Sequence, residues 1–136
     1  MILHQDYIIR IEYDPATDIM QVDYPDLHSS QISEVKHSLT RMTDAIRNYD
    51  VKKLLIDAST TKLNISDEER DLLSMSLAAD LANTRLEKLA HIQPEDPMLI
   101  EKSNENIAQI QQAGLLAYQL QMFSDKDKAL EWLKAD

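Results

Sequence analysis

The chain contains no cysteine. That excludes disulfides, thiolate nucleophiles and cysteine-ligated zinc together, and it fits a reducing compartment. Glycine occurs once, as Gly114. Phosphate-cradling loops are built from glycine, and none of the strand-to-helix turns contains one. Basic residues are also few: 14 Lys and Arg stand against 24 Asp and Glu, a net charge of −10. Phosphate contact depends on lysine and arginine, so unaided nucleic-acid binding is not expected. No apolar run approaches the roughly 18 residues that a membrane span needs. The opening stretch, "MILHQDYIIR", has no basic segment followed by an apolar run and a small-residue cleavage site, so no secretory signal is read. A soluble cytoplasmic protein is the expectation.

What is present suits one domain, residues 1–136, with 43% hydrophobic residues, near the globular average. "YIIRIEYD" (7–14) and the cleanly alternating "IMQVDY" (19–24) predict two strands joined by the turn "DPATD". Ser29 and Ser30 offer N-caps, and Ile32, Val35, Leu39, Met42, Ile46 and Tyr49 then form one helical stripe. "VKKLLIDA" (51–58) is apolar on both faces at Leu54, Leu55 and Ile56, as a doubly covered central strand should be.

Ser66 and Glu69 spell a capping box, and Leu73, Leu77 and Leu81 give the buried face of the helix that follows, with Ala78, Ala79 and Ala82 permitting close approach. A strand over 85–94, a weaker helix over 98–112, a strand over 115–123 and a last helix capped by Ser124 complete the chain. Gly114 falls where a C-cap glycine belongs. Trp132 is assigned to the core. The fold class is α/β: order β-β-α-β-α-β-α-β-α, one mixed, mostly parallel five-stranded sheet with flanking helices.

Ligands of open α/β sheets favour the crevice beyond the carboxyl ends of the strands. Here that edge brings together Asp57, Ser59, the helix start at Ser66 and Asp67, and His91. Asp57 would need a proton partner to act in catalysis, and His91 qualifies only if the two strands are neighbours. The stronger reading makes Asp57 an acceptor for the backbone of residues 59–61, as in Asx turns. Ser59 has no base beside it and no glycine-built elbow. His4, His28, His37 and His91 are scattered without metal-ligand spacing, so neither a metal nor a cofactor is expected. Lys102 is expected to be solvated.

The element order, "LLIDAS" ending the central strand and "FSDKDKALEWL" closing the chain resemble the STAS-like, SpoIIAA-like domains, in particular small stand-alone bacterial members. That resemblance implies a non-enzymatic regulatory module that meets an unidentified protein partner through residues 57–68. The family's "D-S-S-G"-like phosphorylation turn falls near "NISDEE": Ser66 matches the first serine, Asp67 takes the phosphorylated position and Glu68 the glycine. With the gap placed one residue differently, Ser66 becomes the candidate. The alternative is a small-molecule binder for an anion, a nucleotide or a lipid. It would use the crevice between Asp57 and His91, with Met75, Tyr118 or Met122 as apolar walls; a lipid-sized cavity is more than a chain of this length is expected to hold. A homodimer would form through a sheet edge or the weaker helix near residue 105.

Overall fold

A computed structural model describes residues 1–6, 8–114 and 117–135. The elements run β1 (Ile2–Gln5), β2 (Arg10–Asp14), β3 (Ile19–Asp23), β4 (Leu27–His28), α1 (Ile32–Asn48), β5 (Lys53–Asp57), β6 (Leu63–Asn64), α2 (Asp67–Ala82), β7 (Lys88–Ile92), α3 (Pro97–Gln112), β8 (Gln119–Phe123) and α4 (Lys126–Lys134). The α/β class holds, but the sheet has six strands in the order β1-β2-β3-β5-β7-β8. The sixth is β1. It lies ahead of the expected first strand (7–14), which begins only at Arg10; between the two, Asp6 Oδ1 accepts the backbone N–H groups of Ile8 (2.8 Å) and Ile9 (2.7 Å) and turns the chain back on itself. Tyr7, and residues 115–116 at the head of the expected last strand, lie outside the described residues. A two-residue parallel bridge between β4 and β6 was also invisible to periodicity.

β1, β2 and β3 pair antiparallel, and β3, β5, β7 and β8 pair parallel. Each crossover adds its strand on the same side. Right-handed connections therefore bring α1, α2 and α3 to one face of the sheet. Leu54 and Ile56 of β5 join the core under α1 and α2 with Ile11, Met20, Val22 and Leu89. Leu55 points the other way, with Ile19, Ala90 and Ile92, onto Ala129 and Leu133 of α4. Leu54 to Ile56 thus lie mid-sheet and covered on both sides, at 3% exposure or less.

Local chemistry sets the ends of the helices. Neither Ser29 nor Ser30 caps α1: both fall in a short 3-10 turn (Ser29–Gln31), which His28 caps by accepting the Ser30 N–H on Nδ1 at 3.2 Å, and α1 itself starts after Gln31 with no side-chain cap. At α4 the cap is Asp125, which accepts from the Asp127 N–H, in place of the expected Ser124. Gly114, just past α3, takes φ +71, the left-handed conformation that ends a helix without a Cβ penalty. Asp18 also has positive φ, +57. Its carboxylate accepts from Tyr13 Oη (2.7 Å) and from the Lys52 N–H (3.2 Å), tying the β2–β3 hairpin to the entry of β5. No described helix is long and apolar enough to cross a membrane.

Candidate functional site

Strand alternation separates the two residues that the sequence placed in one crevice. Ile56 pairs with His91 and Asp57 with Ile92. Asp57 therefore projects with Leu55 and Ile92 on the α4 face, whereas His91 projects with Leu54, Ile56 and Leu89 beneath α2 and α3. Asp57 Oδ1 accepts from the Ser59 N–H (3.0 Å) and from Ser59 Oγ (2.6 Å). Both residues are spent on the turn after β5, which is the Asx-turn role.

Ser66 and Asp67 belong to the head of α2. Ser66 Oγ accepts from the Glu69 N–H at 3.1 Å while Glu69 returns a carboxylate to the Ser66 N–H, so the capping box is complete. Asp67 pairs with Arg70 (3.2 Å) and with Lys102 (3.3 Å). Lys102 thus pairs across the helices with an exposed carboxylate and stays partly exposed to solvent itself. Thr61, Lys62, Asp67, Asp96, Met98 and Lys102 line a crevice of about 360 Å³ between the heads of α2 and α3. Its carboxylates are already engaged, Asp67 by Arg70 and Lys102 and Asp96 as the α3 cap over the Met98 N–H.

A second cavity, about 130 Å³, lies between the sheet and α2 and α3. Ile56, Leu89 and Leu120 form its floor, Leu77, Ala78 and Leu81 its α2 wall, and Ile107 and Ile110 its α3 wall, with Tyr24 and Tyr118 at the sides. Two sequence features leave this hollow. Ser74 and Ala78 present short side chains where larger ones would fill it. Ile110 is the one residue of α3 that is buried, so that helix brings little apolar mass inward. Of the residues expected as walls, Tyr118 is present; Met75 and Met122 are not among the lining.

Polar atoms interrupt this apolar lining. His91 stands in a row with Val22, Ile56 and Met122 across the sheet. Its Nδ1 is buried and has no hydrogen-bond partner, which costs about 1–3 kcal/mol in desolvation. Burial pushes its pKa down to about 4, with the Asp57 charge opposing weakly through the sheet. Burial pushes the Tyr24 and Tyr118 phenols up to about 12, and neither hydroxyl bonds a described residue.

Arg70, only 7% exposed, continues the Leu73, Leu77 and Leu81 stripe toward the head of α2. Its Nη1 donates to Asp67 and its Nη2 to Asp71, each at 3.2 Å. The Asn106 amide, with its oxygen toward the guanidinium, accepts from Nε at 3.2 Å and donates to Asp71. Sequence reasoning missed Arg70, Tyr24, Ser74 and Asn106. Arg70 alone left a signal, a lone arginine in register with a buried leucine stripe. The other three become neighbours only through β4, α2 and α3 packing.

Trp132 packs on the opposite face, its ring 5.7 Å from that of Phe123 and 5.1 Å from Lys88 Nζ. Among the described residues no group of three or more His, Asp or Glu is placed to hold a metal ion. Compared with known proteins, the chain matches no protein-family model, no curated protein and no solved structure.

Proposed function

We propose that the protein is a non-enzymatic, STAS-like domain of the cytoplasm whose binding site is the cavity beneath α2 and α3, and that it takes up a small, largely apolar molecule. One observation carries this: an apolar hollow of about 130 Å³ holds a histidine whose ring makes no hydrogen bond with the protein. An apolar cavity of roughly 150 Å³ takes up benzene, so the space suits one ring or a short branched chain and is too small for a lipid tail. Catalysis finds no support in this geometry. Ser59 is bound to Asp57, and a general base needs an orienting partner that His91 lacks.

Thermal unfolding of the full chain in the presence of toluene, indole or cyclohexanone tests the proposal. A molecule present at 100 times its Kd adds about 2.7 kcal/mol of stability. Ala78→Leu, which fills the hollow, should abolish the shift. A flat screen, or a shift unaffected by Ala78→Leu, would overturn the reading.

A protein-interaction role, the first expectation from the family resemblance, draws support from Leu72 of α2 and Met98 of α3, which are 70% and 64% exposed. On that reading a partner, or a second copy of the chain, covers the outer side of these helices; Leu72→Asp would remove the contact and leave ligand uptake intact.

A further inference from the structure

Resting on the proposed apolar binding site, we infer that the cavity selects a neutral ligand bearing one hydrogen-bond acceptor oxygen, which the Nε2–H of His91 recognises. The first step concerns the tautomer. A neutral imidazole carries its proton on one nitrogen only. Nδ1 is buried without a partner, Nε2 is not among the buried unpartnered atoms, and the residue lines the cavity. An orphaned N–H is a rarer defect in proteins than a bare acceptor. The proton therefore belongs on Nε2, the nitrogen left open to a ligand as a donor, and Nδ1 is left as the bare lone pair. What satisfies such a donor is a carbonyl, ether or hydroxyl oxygen.

The second step concerns charge. Arg70 is the one full charge in the lining, and all three of its guanidinium nitrogens are committed, to Asp67, Asp71 and Asn106. Lys102, behind it, is held by Asp67. A carboxylate ligand would meet no unpaired cation and an ammonium no unpaired anion, so either would lose its hydration uncompensated. The depressed His91 and the elevated Tyr24 and Tyr118 agree, since all three side chains are neutral near pH 7.

Four ring compounds of similar size separate the possibilities: cyclohexanone, toluene, benzoate and benzylammonium, titrated into the full chain and into His91→Leu by NMR. Cyclohexanone should lose about tenfold in affinity on His91→Leu, the loss expected for one good hydrogen bond, while toluene changes by less than about twofold. Both charged probes should bind at least tenfold more weakly than the neutral ones. Equal losses for cyclohexanone and toluene, or a charged probe binding best, would overturn the inference and leave the apolar site standing; no binding by any probe would overturn both. Long-range proton–nitrogen spectra of the unsubstituted chain need no variant. They should show His91 as the Nε2–H tautomer, and an Nδ1–H tautomer would refute the assignment.

Discussion

Acidifying the protein should expose His91 as a stability switch. Burial holds its folded-state pKa at about 4 against an ordinary 6.5. Between those two values the unfolded chain binds the proton and the folded chain does not, so folding stability falls as pH falls through this window. Each unit of difference corresponds to about 1.4 kcal/mol. Moving from near pH 7.5 to near pH 4.5 should then cost about 2.5 kcal/mol through this one ring. Arg70, Tyr24 and Tyr118 line the same cavity, and Asp57 acts through the sheet. Neither phenol, with pKa values near 12, changes charge in this range. Asp6 titrates lower: burial pushes its carboxyl up, but bonds from Ile9, His4 and Ile8 more than offset this and hold it at about 2. Its contribution is therefore lost below about pH 4, outside the window. Urea melts of the unsubstituted chain and of His91→Leu, run side by side across this range, isolate the term. His91→Leu removes the proton acceptor and the orphaned nitrogen together, so its stability should lack the steep acid limb. A difference between the two chains of less than about 1 kcal/mol across the window would refute the idea that this imidazole is held neutral.

Three further outcomes follow from the geometry. Ser66→Ala opens the α2 capping box and should cost about 1 kcal/mol in urea denaturation; an unchanged midpoint would show that the helix head is held by other contacts. Asp57→Ala removes the one carboxylate oxygen that accepts both hydrogen bonds of the turn after β5 and should destabilise by about 1 kcal/mol without changing toluene affinity, since the carboxylate lies on the other face of the sheet; a lost titration would place Asp57 beside the cavity. Leu81→Ala, at a position 2% exposed in the cavity wall, should cost about 3 kcal/mol and enlarge the hollow enough for indole to bind more tightly than toluene; calorimetric titration of both compounds checks it.

Much of the architecture was legible in the residues because it rests on local periodicity. The stripe from Ile32 to Ile46 could only be a helix packed along one side. The unbroken Leu54, Leu55 and Ile56 could only be a strand covered on both faces. Ser66 with Glu69, and Gly114, marked helix ends through chemistry confined to a few neighbours. The same locality explains the misses. The turn at Asp6 and the His28 cap of the 3-10 turn depend on how single side chains meet nearby backbone, and the two-residue β4–β6 bridge on backbone pairing between distant segments, none of which periodicity records. The cavity lay further out of reach. Asp57 and His91 both end strands at the same edge, and only the register, Ile56 opposite His91, decides that they face opposite ways. The cavity is a shortage of volume between α2, α3 and the sheet, created where Ser74 and Ala78 meet a helix that buries little. Such a shortage belongs to no residue by itself; it exists only once distant segments are packed against each other.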